Sequence, residues 1–313
     1  MKIVFFGSSE FAVESLKKLI DKYDVVAVFT RPDRPKGRHL HLSKTPVKIY
    51  TEERGLTLLQ PEDAGSAESI LQLKSYAADL FVVVSYGTIL SKQVLEIPGQ
   101  CCINVHASLL PRWRGAAPIN RAVMSRDEQT GVSIIRMNEA MDAGDVILTK
   151  SISIGEDDSI VLFDKLAKLG AEALIQAVDQ IIAGTAQFIP QDENEITIAH
   201  KLKKSGGLID WQNKALDIHS QVRGLLPWPC AFAYYKEKFL KILKTSVADS
   251  NKGFSAGEII AADQKEGIIV ACGEGAILIE QLQIEGRRAM SAHDFLLGHK
   301  MIPGEKLGDK WEK

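Results

Sequence analysis

Cysteine is scarce in this chain, and the four that occur lack the spacing of a metal site or a cross-linked scaffold. Cys101, Cys102, Cys230 and Cys272 form no Cys-x-x-Cys pair and have no histidine at zinc-ligand spacing, so reduced, buried thiols and no metal are expected. Excess charge is missing too. With 38 basic and 40 acidic residues, the formal net charge of -2 excludes a protein that is basic all over, and any nucleic-acid contact must use local patches. Long apolar runs are also lacking. The opening Met1-Lys2-Ile3-Val4-Phe5-Phe6-Gly7 is a short strand stopped by glycine, without the core of a signal peptide or membrane span, so a cytoplasmic protein is expected. The next turn, Gly7-Ser8-Ser9-Glu10, lacks the three glycines of a dinucleotide fingerprint, which excludes a nicotinamide site there.

What is present is an alternation of strand and helix patterns. Residues 2–6, 25–29, 79–85 and 101–105 read as strands, and the apolar run Asp79-Leu80-Phe81-Val82-Val83-Val84-Ser85 suits a strand buried on both faces. Phe11, Val13, Leu16, Leu19 and Ile20 have helical spacing, and residues 162–183 read as a long helix ended by Gly184. The pattern predicts an α/β fold with a Rossmann-like, doubly wound, mainly parallel sheet. Beyond a polar stretch, short apolar runs separated by turns predict a small β-barrel. The expected boundaries are a first domain over 1–188, a linker over 189–205 and a barrel domain over 206–313.

Two polar residues interrupt the strand at 101–105 and its end. Period-two alternation aims Asn104 and His106 at one face, near the strand's C-terminal end, where open α/β sheets keep their ligands. An amide N–H and an imidazole N–H converging there resemble donors placed for a developing oxyanion, and histidine can also move protons. The competing reading is a core histidine satisfied by backbone. Asp142, in Met141-Asp142-Ala143-Gly144-Asp145, fits either a turn cap or a partner for His106.

The second notable stretch runs from 31 to 48. Arg31, Arg34, Lys36, Arg38, Lys44 and Lys48 stand against Asp33, and three prolines with Gly37 predict a long exposed loop without regular structure. Such a loop suits a phosphate backbone. His39 and His41 have no accompanying ligands and are read as loop residues.

Four segments, Asn104-Val105-His106-Ala107-Ser108-Leu109-Leu110-Pro111 with the residues that follow, the loop opening at Arg31-Pro32-Asp33-Arg34, the turn at 141–146 and the stretch from Asp217 to Phe232, together resemble the folate-dependent formyltransferases. Arg112-Trp113-Arg114-Gly115-Ala116-Ala117-Pro118 and Val222-Arg223-Gly224-Leu225-Leu226-Pro227-Trp228-Pro229 narrow the resemblance to the branch that acts on methionyl-tRNA. The resemblance implies a catalytic domain using 10-formyltetrahydrofolate and an OB-fold-like barrel that helps to hold initiator methionyl-tRNA. It further implies catalysis by Asn104, His106 and Asp142, and a folate-binding turn at Ser108, Leu109, Leu110 and Pro111. A pterin pocket drawn from Tyr86, Gly87, Ile89 and Leu90 is implied as well, as are tRNA contacts by Arg31, Arg34, Lys36, Arg38 and Lys44. A monomer without a metal is expected. After its Gly-Arg pair this loop carries His39-Leu40-His41-Leu42, where family loops often have a glycine and two lysines. The runner-up is a folate-dependent sugar-amine formyltransferase, which needs neither the cationic loop nor the barrel. An RNA-binding protein without catalysis and a formyl-folate hydrolase are the remaining alternatives.

Overall fold

The computed structural model describes residues 1–36, 41–236, 238–248 and 253–308. It groups the chain into two compact units, one of residues 1–118, 129–153 and 163–199 and one of 119–128, 154–162 and 200–313.

The chain opens with β1 (Lys2–Gly7), α1 (Glu10–Ile20), β2 (Asp24–Phe29), β3 (Arg34–Lys36), β4 (His41–Ser43), α2 (Pro46–Glu53) and β5 (Leu58–Leu59). It continues through α3 (Ala67–Ser75), β6 (Leu80–Val84), α4 (Lys92–Leu95), β7 (Cys101–His106), β8 (Arg114–Gly115) and α5 (Pro118–Met124). Then come β9 (Gln129–Arg136), β10 (Val146–Ser153), α6 (Ser159–Ile182) and β11 (Ile198–Ala199). The main sheet of the first unit has the order β10-β9-β7-β6-β1-β2-β5. From β7 to β5 every pairing is parallel, while β9 and β10 add an antiparallel edge. This is the doubly wound sheet expected from the sequence.

Local chemistry explains these elements. Every residue of β6 is buried, as its unbroken apolar run demands. In α1, Phe11, Val13, Leu16 and Leu19 are buried, and Glu10 in the first turn with Lys17 and Lys18 in the last complement the helix dipole. Below the sheet's C-terminal edge Phe6 stacks on Phe29 at 4.9 Å and meets Tyr86 edge-on at 5.4 Å. Burying each such ring contributes roughly 1.5–3 kcal/mol, which makes this cluster a firm floor for the loops above it.

The cationic stretch departs from the expected irregular loop. Arg34–Lys36 pairs antiparallel with His41–Ser43, with Pro35 opposite Leu42. A two-stranded ribbon has two free edges, so a proline without an N–H can sit in it at no cost to a ladder. Pro46 opens α2, and the Thr45 hydroxyl accepts from the Lys48 backbone N–H at 3.0 Å, a position where proline's missing N–H is not needed. Arg38, with Gly37, His39 and Leu40, lies outside the described residues.

The stretch read as a linker carries its own order. Ile189 exchanges backbone hydrogen bonds with Val146, and β11 pairs in parallel with β8.

In the second unit, α7 (Ala215–Gly224) precedes β12 (Ala231–Tyr235), β13 (Lys238–Ala248), β14 (Ile259–Asp263), β15 (Gly267–Ala271) and β16 (Ala276–Ile284). β17 (Met290–Ser291), α8 (Ala292–Gly298) and β18 (Leu307–Gly308) follow. The antiparallel order β14-β15-β16-β13-β12-β18 curls until its ends meet: Ile259 N–H donates to Glu305 O and Leu307 N–H to Gly257 O, each at 2.8 Å. Closure removes the exposed edges, and Leu240, Ile242, Ile268, Ile277 and Phe295 fill the interior of this OB-like barrel.

Candidate active site

The site grows from the end of β7. This strand lies between β6 and β9, with Asn104 opposite Val83 on one side and Ile135 on the other. His106 is 6% exposed, so its ring nitrogens must find partners within the protein. They do. Nε2 lies 2.9 Å from the Trp113 carbonyl, and Nδ1 lies 3.5 Å from Asp142 Oδ1. A carbonyl only accepts, so Nε2 donates to the Trp113 carbonyl while Nδ1 faces the Asp142 carboxylate. The imidazole therefore has no N–H directed at an oxyanion in this geometry. Asn104 differs, since its side-chain amide has no hydrogen-bond partner among the described residues.

Asp142 comes from the loop joining β9 to β10. Its second oxygen accepts from the Gly115 backbone N–H at 2.9 Å. The aspartate backbone is left-handed, with φ of 53°, and Gly144 lies so close to Arg136 that a Cβ there would sit 1.7 Å from a carbonyl oxygen. Only glycine fits at 144.

The Ser108-Leu109-Leu110-Pro111 turn is held from beneath. The buried Ser108 hydroxyl donates to Arg112 O at 2.6 Å, while Ser133 donates to Ser108 O and accepts from Leu110 N–H. These contacts shape the turn and direct the hydroxyl of Ser108 inward. Tyr86 and Leu90 are buried in the core cluster beneath, whereas Ile89 is 81% exposed. The Tyr86 hydroxyl is pushed up to about 12, first by burial and then by the Asp63 carboxylate, with the Arg31 guanidinium opposing both. A Cβ on Gly87, whose φ is 84°, would meet that guanidinium at 3.1 Å. Arg31 is thus drawn to the Tyr86–Gly87 turn.

Three other cations of the 31–48 stretch carry acidic partners. Arg34 pairs with Glu62, Lys44 with Glu52 at 2.7 Å and Lys48 with Asp33 at 2.7 Å. Two of those partners lie outside the stretch, so its local excess of charge is smaller than the sequence count suggested. The thiols of Cys102, Cys230 and Cys272 are buried, and burial pushes each up, whereas Cys101, expected to be buried, is half-buried. Among the described residues no group of three or more His, Cys, Asp or Glu could hold a metal ion, and no helix is long and apolar enough to cross a membrane.

The first unit thus sets Asn104, His106 and Asp142 at the C-terminal edge of a mainly parallel sheet, and the second is a curled antiparallel sheet. Residues 1–178 match the formyl transferase family and residues 201–300 match the formyl transferase C-terminal domain, so the chain belongs to the formyl transferase family. Among its relatives is the methionyl-tRNA formyltransferase of Geobacter metallireducens, 44% identical over 98% of this chain and 99% of that protein. The methionyl-tRNA formyltransferase of Acetivibrio thermocellus is 42% identical over 98% of this chain and 100% of its own. Two solved structures share the fold. HypX from Aquifex aeolicus in complex with tetrahydrofolic acid has a TM-score of 0.61 at 16% identity, covering 95% of this chain and 47% of that one. The N-formyltransferase from Helicobacter canadensis, solved with folinic acid and dTDP-3-aminofucose, has a TM-score of 0.63 at 17% identity over 88% of this chain and 97% of its own.

Sequence reasoning missed Gln191, Thr197 and the backbone groups of Trp113 and Gly115. The only signal available for the first two was their polarity in a stretch without periodicity.

Proposed function

We propose that this protein transfers the formyl group of 10-formyltetrahydrofolate to the α-amine of methionine esterified to initiator tRNA, for use in translation initiation. The observation that carries the reading is full-length likeness: identity of 44% extends over the barrel as well as the sheet domain. A sugar-amine enzyme shares only the fold with this chain, at 17% identity.

The residues supply the chemistry. The attacking amine must be neutral, and with a reference value of roughly 8 much of it is protonated at neutral pH. As nitrogen attacks the formyl carbon, the formyl oxygen gains charge, and the unpartnered Asn104 amide is the donor placed to stabilise it. His106 and Asp142 take up the amine proton, directly or through water, while N10 of the donor is protonated as its bond to the formyl carbon breaks and tetrahydrofolate leaves. His106 is held for that role between the Trp113 carbonyl and the Asp142 carboxylate. Asp142 keeps its orientation through Gly115 N–H. Ser108, Leu109, Leu110, Pro111 and the Tyr86 to Leu90 turn border the donor.

The experiment is to offer labelled formyl donor with charged initiator tRNA, charged elongator tRNA and a sugar amine. Label should enter initiator methionyl-tRNA; label in the sugar amine instead overturns the reading. Replacing Arg34, Lys36 and Arg38 together with alanine should weaken tRNA binding and flatten its salt dependence by up to roughly one unit of slope for each phosphate that is no longer neutralised. Because Arg34 is already paired with Glu62, its share should be below a full unit. Donor binding should not change, and equal tRNA affinity at every salt concentration would remove the ribbon from the RNA interface.

A further inference from the structure

We propose that the segment from Ile189 to Ala199, which includes a 3-10 turn at Glu193–Glu195, is a strap that positions the reacting pair, Gln191 setting Asp142 and Thr197 setting His106. The inference rests on the assignment of Asp142 and His106 to the chemistry.

Gln191 uses its whole amide. Nε2 donates to Asp142 O at 2.8 Å and to Gly144 O at 2.7 Å, while Oε1 accepts from Arg114 Nε at 2.9 Å. Those two carbonyls belong to a loop in which Asp142 is left-handed and Gly144 admits no side chain, so their hydrogen bonds come from across the chain. One side chain therefore clasps both ends of the short turn that carries the carboxylate.

The strap reaches the other face of the pair through its backbone. Thr197 O accepts from Arg114 N–H at 2.9 Å and Ala199 O from Ala116 N–H at 2.8 Å, which fixes Gly115 between them. The Gly115 N–H so placed is the donor to Asp142 Oδ2. No larger residue fits at 115, where φ is 118° and a Cβ would stand 2.9 Å from Ala199 O. Thr197 Oγ1 accepts from Trp113 N–H at 2.8 Å, and the Trp113 carbonyl takes the Nε2–H of His106. Trp113 is itself left-handed, with φ of 64°, so its peptide orientation needs holding from outside. Gly115 N–H and Trp113 O, the partners that Asp142 and His106 have besides each other, are each bonded directly to the strap or flanked by residues that are.

The test compares Gln191→Ala, Gln191→Glu, Thr197→Val and Thr197→Ser in the full chain, with His106→Ala in the same formyl-transfer assay. Gln191→Glu keeps the acceptor for Arg114 but sets lone pairs against both carbonyls, so it should fall at least as far as alanine. For Gln191→Ala, Gln191→Glu and Thr197→Val, kcat should drop about tenfold or more with KM for donor and tRNA within about twofold, the loss of roughly one oriented hydrogen bond in the transition state. Thr197→Ser retains the hydroxyl and should restore most of kcat, and this pair decides the matter if the Gln191 variants fold poorly. Wild-type kcat with a lower melting temperature, or a raised KM at unchanged kcat, overturns the strap as a positioning device. Loss of turnover in His106→Ala beside normal strap variants overturns this inference alone, whereas full turnover in His106→Ala overturns the site assignment on which it stands.

Discussion

His106→Ala should keep its fold and its affinity for tRNA while losing about a hundredfold or more in turnover, on the order of 3 kcal/mol of transition-state stabilisation. The size follows from where the ring sits. It is buried, its Nε2 is tied to the Trp113 carbonyl, and its Nδ1 faces the carboxylate of Asp142. His106→Gln is the informative companion, because glutamine can still donate to that carbonyl but offers no nitrogen that changes protonation near neutrality. Both variants should be comparably slow. Measured kcat near wild type in the glutamine variant would mean that the ring only bridges two loops, and the proton-transfer role would have to be given up.

Asp142→Asn should lower turnover on the order of a thousandfold with little change in melting temperature. Asparagine tolerates the left-handed backbone at this position. Its amide oxygen can accept from Gly115 N–H, and its NH2 can donate to the Nδ1 lone pair of a neutral His106. The packing and hydrogen bonds of the ground state thus survive, while the charge that stabilises an imidazolium is gone. The loss should fall mainly on kcat, and the pH dependence of kcat should change with it. Retained turnover across the pH range would assign Asp142 to the turn alone.

Much of the first domain was legible because its signals are local. The unbroken apolar run at 80–84 and the helical spacing of Phe11, Leu16 and Leu19 each fix one element from its own residues. Asn104 and His106 stood out for the same reason, being polar where a buried strand has no use for polarity. The 31–48 stretch reads as irregular because proline and glycine break regular structure, whereas a free-edged ribbon accepts Pro35 and a helix start accepts Pro46. The Ser108-Leu109-Leu110-Pro111 turn was legible only as a motif, while the hydrogen bond from the Ser108 hydroxyl to Arg112 O that shapes it was not.

The sequence by itself determined the order of strands and helices, the change from a sheet domain to a barrel and the presence of Asn104 and His106 at the end of a buried strand. These depend on periodicity and residue chemistry within a few neighbouring positions. Only the tertiary structure decided which groups face the two nitrogens of His106, which cations of the ribbon are already paired and that Gln191 clasps the aspartate turn. Such facts depend on contacts between residues far apart in the chain, 49 positions for Gln191 to Asp142 and 84 for Thr197 to Trp113. A side-chain amide in an aperiodic stretch has no local signature, since its donors and acceptors acquire a role only when folding brings unsatisfied carbonyls to them.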